Sequence, residues 1–166
     1  MTKIVNILKQ IDIFYGLTST QLELIANLCQ EQTYQDNDII FLENAHSDEL
    51  YIIVQGEVDI LVNPALVSDQ AENRLPVTIA TLRHGQSFGE IALVDRGLRS
   101  ATARASQKDT HLLILPREKL MLLCDTYPLL GYRLMYNLAA DLALKLRSTD
   151  LRLREEILYG SRQKLG

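Results

Sequence analysis

Cysteine is scarce in this chain. Cys29 and Cys124 are the two present in 166 residues, too few for a disulfide framework and too far apart for a thiolate metal site. Both fall in apolar stretches of helical spacing and are expected to pack as small hydrophobes. Histidine is equally sparse: His46, His84 and His111 are scattered, with no HxH spacing. They are expected at turns or strand edges, not around a metal ion, so no cofactor or metal is expected. A Ser-His-Asp arrangement, a P-loop and a nucleophile elbow are all missing, which argues against an enzyme. Long apolar runs are missing too. None approaches the ~20 residues that span a bilayer, and the N-terminal MTKIVNILKQ is amphipathic and lacks a secretory core with a cleavage site. Positive charge is in the minority: 17 Lys and Arg against 21 Asp and Glu give a net charge of -4. That excludes a whole-surface affinity for nucleic acid or anionic membrane, while leaving room for a local basic pocket. Internal repeats and low-complexity tracts are also absent. These absences point to a reducing, cytoplasmic protein of one main domain, and the 47% of hydrophobic residues is enough to build its core.

What is present falls into three zones. Residues 3–11 (KIVNILKQI) and the LTSTQLELIANLC stretch have helical spacing, the second with Thr18 or Ser19 as cap. From about 31 to 114 the period becomes that of strands, with candidates at 31–35, 38–43, 49–55, 57–63, 77–82, 99–106 and 109–115. YIIVQGEVDILV reads as two strands joined through Gly56, and residues 64–75 read as a surface loop. Short strands without intervening long helices suggest a mainly β fold, a jelly roll or barrel, and not βαβ units. After Pro116 the helical period returns, with one short helix stopped by Pro128 and a long one over about 128–158. On the long helix Leu138, Leu142, Leu146, Thr149, Leu153 and Ile157 share one broad face. Its charged far half, with one surviving apolar stripe, suggests packing on a second copy of the chain. The alternative is a helix lying on its own barrel.

The stretch FGEIALVDRGLRSATARA, residues 88–105, carries the chemistry. Gly89 removes a side chain next to Glu90 and allows close backbone approach. The residues after it read as one helical turn whose first N–H groups lack intrahelical partners and suit an anion. Arg99, nine residues beyond Glu90, offers a planar guanidinium for bidentate pairing to phosphate, and Ser100 adds a hydroxyl. Ionised Glu90 can only accept hydrogen bonds, so it suits hydroxyl donors such as those of a ribose. A phosphate held beside a sugar hydroxyl describes a nucleotide folded back on its ribose. The competing reading is a surface ion pair between Glu90 and Arg99, worth ~0–1 kcal/mol. Arg104 alternates to the other face of its strand and is not expected at the same phosphate.

The run Phe88-Gly89-Glu90-Ile91-Ala92-Leu93, followed by Arg99-Ser100-Ala101-Thr102, resembles the phosphate-binding cassette of the cyclic-nucleotide-binding domain family. That family includes domains of the catabolite activator and protein kinase A regulatory type. Two positions depart from its pattern: Leu98 replaces the usual proline before the arginine, and Asn44 an upstream glycine. Neither carries a ligand-binding side chain, and asparagine tolerates the left-handed region. The resemblance implies a β jelly-roll (double-stranded β-helix) barrel with N-terminal helices and a hinge over 1–127, followed by a lid and dimerisation helix with its tail over 128–166. It implies that Glu90 takes a ribose 2′-hydroxyl and Arg99 the cyclic phosphate. Gly89, Ser100, Ala101 and the backbone N–H groups near Ile91 and Ala92 complete the site. Thr149, aligned on the leucines of the lid helix, falls where an adenine edge is read, and the alternative is a stripe position facing another helix. The implied ligand is cAMP, with cGMP as the second choice. The implied partners are a second copy of the chain and an unknown effector protein. After Tyr159 only GSRQKLG follows, so no helix-turn-helix is expected in this chain. A second possibility within the same fold is a scaffold that binds no nucleotide and acts through its C-terminal helix.

Overall fold

A computed structural model of the chain describes residues 3–46, 48–64, 75–95 and 97–160. The expected surface loop falls almost entirely outside them, as do Arg96 and the tail from residue 161. Helices α1 (Lys3–Leu8) and α2 (Ser19–Ala26), with a single 3-10 turn at Asp12–Phe14 between them, precede the strands. Thr18 caps α2: its side chain accepts from the Gln21 N–H while the Gln21 side chain accepts from the Thr18 N–H, a reciprocal capping box. The first helix is shorter than the apolar spacing predicts, because the chain tightens through Ile11 N–H to Leu8 O and turns into the 3-10 segment.

The strands are β1 (Gln30–Tyr34), β2 (Ile39–Phe41), β3 (Glu49–Gln55), β4 (Glu57–Val62), β5 (Val77–Arg83), β6 (Ser87–Phe88), β7 (Thr102–Ala105) and β8 (Thr110–Pro116). They form two antiparallel four-stranded sheets, ordered β1-β8-β3-β6 and β2-β7-β4-β5. This is the mainly β jelly-roll architecture that the sequence predicts. Gly56 turns β3 into β4 at φ +88°, and a Cβ there would meet the Thr110 backbone at 2.8 Å.

Strands β3 and β8 read as continuous apolar runs because both of their faces are covered. Tyr51, Ile53, Leu112 and Ile114 pack inside the barrel with Tyr34, Val58, Phe88, Ala103 and Ala105. Their neighbours Leu50, Ile52, Leu113 and Leu115 face the helices, against Leu8, Phe14, Leu22, Ile25, Leu120, Leu134 and Leu138. The period of two thus sends alternate residues into two cores.

Helix α4 (Arg117–Thr126) follows β8 directly, and α5 (Pro128–Gly160) starts with proline at its first position, where no N–H is needed. The two helices cross tightly at Gly131, where a Cβ would stand 2.9 Å from the Cys124 Cβ. Leu130, Leu134 and Leu138 bury the first third of α5 in the helical core. Farther along, Leu146 and Leu153 are exposed. The side chain of Ile157 lies outside the described residues. Among the described residues no helix is long and apolar enough to cross a membrane.

One expectation needs correction. The strand predicted from residue 99 begins at Thr102. Arg99 bonds instead to a turn: its N–H donates to Ala45 O, and its carbonyl accepts from the Asn44 N–H. Asn44 takes φ +63°, so the partner segment leaves extended geometry there and no regular ladder continues. A second segment, β6, is two residues long and too short to carry a period.

Candidate functional site

The cassette starts where β6 pairs with β3, Phe88 opposite Tyr51 and Ser87 opposite Ile52. Gly89 then reverses the chain at φ +81°. Glu90 caps the short helix α3 (Ile91–Val94) in right-handed helical geometry, and the chain returns through residues 97–101 to β7. This route brings Glu90 and Arg99 inside the protein, with residue exposures of 6% and 4%. The surface ion pair is therefore ruled out. A carboxylate and a guanidinium cost several kcal/mol each to bury unless partners replace their water.

Arg99 finds its partners in backbone carbonyls and aromatic faces. Nη1 donates to Gly89 O at 3.1 Å and Nη2 to Glu49 O at 2.8 Å, with the Glu49 carboxylate 3.7 Å away. The guanidinium carbon lies 4.2 Å from the Phe41 ring centroid and 5.5 Å from that of Tyr51. Phe41, Tyr51 and Phe88 form one ring cluster with centroids 5.0–5.9 Å apart. Such cation–π support offsets part of the desolvation cost. Burial lowers the Arg99 pKa from its ordinary value, and Tyr51 and Glu49 oppose that shift.

Glu90 is held from the opposite side. Lys145, in the middle of α5, places Nζ 2.8 Å from Glu90 Oε1, 2.9 Å from Asp141 Oδ2 and 3.4 Å from Ser87 O. Burial disfavours the Lys145 charge, but Glu90 and Asp141 outweigh it and raise the pKa. Behind the ammonium lies a cavity of about 80 Å³ lined by Ile11, Asp12, Gln86 and Asp141 among others.

The remaining predicted residues are distributed as follows. Gly89 is needed where it stands, although the group approaching it is the protein's own: a Cβ there would lie 2.6 Å from Arg99 Nη1. Ile91 and Ser100 are exposed, Ala101 is buried, and the side chain of Ala92 is outside the described residues. Thr149 is exposed, and its hydroxyl donates to Lys145 O, one turn back on the same face. Arg104 pairs with Asp59 at 3.3 Å, away from Arg99. His46 is exposed, His84 lies in a turn 2.6 Å from Val54 O, and His111 on β8 pairs with Glu31 at 2.9 Å. Among the described residues no group of three or more His, Cys, Asp or Glu could hold a metal ion.

Sequence reasoning missed Lys145, Glu49 and the aromatic platform. Lys145 lies 55 positions from Glu90, and no local spacing announces it. The alternation of Tyr51 against Leu50 and Ile52 along β3 was the usable signal for the platform.

Residues 31–127 match the model of the cyclic nucleotide-binding domain. The chain is 34% identical over 141 residues to the cyclic AMP receptor protein of Thermus thermophilus, covering 85% of this chain and 60% of that protein. It is 27% identical over 113 residues to human cGMP-dependent protein kinase 2, covering 68% of this chain but only 14% of the kinase. The structure is similar to the crystal structure of the Thermus thermophilus catabolite activator protein, with a TM-score of 0.71, 33% identity, and 86% of this chain and 62% of that one covered. The chain thus spans less than two thirds of the curated relatives it matches. The matched region contains the whole cassette and more than half of the chain, and the chain belongs to the cyclic nucleotide-binding domain family.

Proposed function

We propose that this chain is a non-enzymatic regulatory module that binds a cyclic nucleotide, cAMP first and cGMP as the alternative, and passes capture of the ligand to its C-terminal helix. The observation that carries this reading is the burial of two opposite charges, Glu90 and Arg99, on one short cassette, each held by different groups. Arg99 meets the cyclic phosphate, assisted by the Ser100 hydroxyl and the N–H groups of Ile91 and Ala92. Glu90 accepts from the ribose 2′-hydroxyl. Gly89 and Ala101 keep the walls small. Thr149, one turn beyond Lys145, reads the base edge. The names of the relatives, a cyclic AMP receptor and a cGMP-dependent kinase, support a cyclic nucleotide and leave its base to experiment.

Coupling to the helices follows two bonds. Arg117 Nε, at the start of α4, donates to Leu93 O at the 88–105 cassette, at 2.9 Å, and Lys145 ties Glu90 to α5. Movement of the cassette therefore pulls on both helices. The ligand shifts the population only by as much as it prefers the closed arrangement. The exposed leucines of α5 support assembly as a homodimer, and an effector protein would read the helix.

Titration calorimetry with cAMP and cGMP tests the proposal, with a thermal shift beside it. A ligand present at 100 times its Kd adds about 2.7 kcal/mol to stability. Binding that disappears in Arg99→Ala supports the site. One observation favours the second reading, a scaffold that binds no nucleotide: Arg99 and Glu90 already have internal partners. Flat titrations with every cyclic nucleotide would select it.

A further inference from the structure

Lys145 and Arg152 mark the side of α5 that faces the β-roll: Lys145 meets Glu90, and Arg152 Nη1 donates to Ile79 O at 3.2 Å. Each stands between two leucines, in the triplets Leu144-Lys145-Leu146 and Leu151-Arg152-Leu153. At about 100° per residue, the leucines before and after each cation point to opposite sides of the helix. Leu146 and Leu153 continue the side of the buried Leu138 and the half-buried Leu142. Leu144, Leu151 and Leu158 form a separate ridge, 67%, 60% and 66% exposed. Arg147 and Arg154 follow the first two of these leucines by one turn and run along the outer flank of the ridge. Both are exposed, and neither guanidinium has an ion pair or hydrogen bond to another described residue.

We propose that the ridge of Leu144, Leu151 and Leu158 is a docking surface for an amphipathic helix of another protein, with an apolar residue at every seventh position and a row of acidic side chains that meets Arg147 and Arg154. The inference deepens the effector part of the reading above and rests on that part. One neighbouring helix cannot cover ridges on opposite sides of α5, so a second copy on Leu146 and Leu153 leaves this ridge open. A second copy also fits this ridge poorly. Laid along it in parallel, it would set Glu155 against its own equivalent and Arg147 against Arg152, and like charges at those positions repel. An acidic helix instead supplies charge-assisted partners to both arginines while its apolar row covers the leucines. The regular spacing favours a helix over an anionic membrane, which calls for a broader basic face than two arginines on a chain of net charge -4.

The test uses two synthetic helical peptides with the same leucine heptads, one carrying glutamate at the flanking positions and the other lysine. Each is titrated by calorimetry into the full chain as wild type, L144Q/L151Q, R147Q/R154Q and L146Q/L153Q. Two ridge variants are used so that a folding failure in one leaves the other, and thermal melts check both. The glutamate peptide is expected to bind wild type at least about tenfold more tightly than the lysine peptide. L144Q/L151Q should abolish that binding, R147Q/R154Q should weaken it about tenfold, and L146Q/L153Q should leave it unchanged. Sedimentation should find L144Q/L151Q in the same oligomeric state as wild type. No binding of the glutamate peptide, equal binding of both peptides, or an equal loss in L146Q/L153Q and L144Q/L151Q overturns the docking surface. Conversion of a dimeric wild type to a monomer by L144Q/L151Q also overturns it and gives the ridge to the second copy. Capture of wild type but not R147Q/R154Q by phosphatidylserine vesicles overturns it in favour of a membrane. Titration with cAMP reads nucleotide capture separately, so failure of one reading is distinguishable from failure of the other.

Discussion

Arg99 Nη1 stands 2.6 Å from the point where a Cβ on residue 89 would lie, and Glu49 O is 2.9 Å from the same point. The arginine can enter the protein only because residue 89 has no side chain. Gly89→Ala therefore carries two penalties, an unfavourable φ of +81° and a displaced guanidinium. Urea denaturation should show a loss of about 1–3 kcal/mol. Nucleotide affinity should fall with it, since Arg99 must move.

Arg99→Lys keeps the charge but loses the fork that spans Gly89 O and Glu49 O. A lysine cannot reproduce planar two-point contact, so the conservative change should behave much like Arg99→Ala. Calorimetry is expected to show cAMP binding weakened by more than about tenfold in the lysine variant and abolished in the alanine variant. Near wild-type affinity in the lysine variant would mean that charge alone suffices.

Burial, with Glu31 adding to it, pushes the Cys29 thiol up from 9.0 to about 12. The folded state thus holds a proton that the unfolded state releases above pH 9. Stability from this group is complete below pH 9 and is lost as pH rises toward 12. Urea midpoints measured at pH 8 and 10.5 should fall further for wild type than for Cys29→Ala. Burial raises the Cys124 thiol as well, with Asp125 adding to the shift, so alkylation of either cysteine at pH 8 should be slow until the chain unfolds.

Leu146 and Leu153 are 64% and 51% exposed on one side of α5, and Thr149 lies between them. A stripe of that kind is suited to a second copy of the same helix. Sedimentation should find a dimer, and the double change Leu146→Glu and Leu153→Glu should yield a monomer with little change in the melting of the β-roll. A wild-type monomer at all concentrations would remove the homodimer from the proposal.

Much of the fold was legible because its signals are local. Strands β3 and β4 with Gly56 between them, and α5 from Pro128, emerge from period and a single turn residue. The start of β7 was not legible, because the Arg99 backbone pairs with the distant turn at 44–45. The stripe on α5 was read as one face, yet Leu138 is buried and Leu146 is not, because the apolar core packs against the helix only as far as Leu142.

The sequence by itself determined most of the elements, the cassette, and the left-handed positions at Asn44 and Gly56, since these follow from backbone sterics and short-range periodicity. Only the tertiary structure decided that Glu90 would face Lys145 and that Arg99 would rest on Phe41 among backbone carbonyls. Those partners lie tens of residues apart in the chain. A buried charge takes the partner that folding brings within reach, and burial exists only once the sheets and α5 have closed around it.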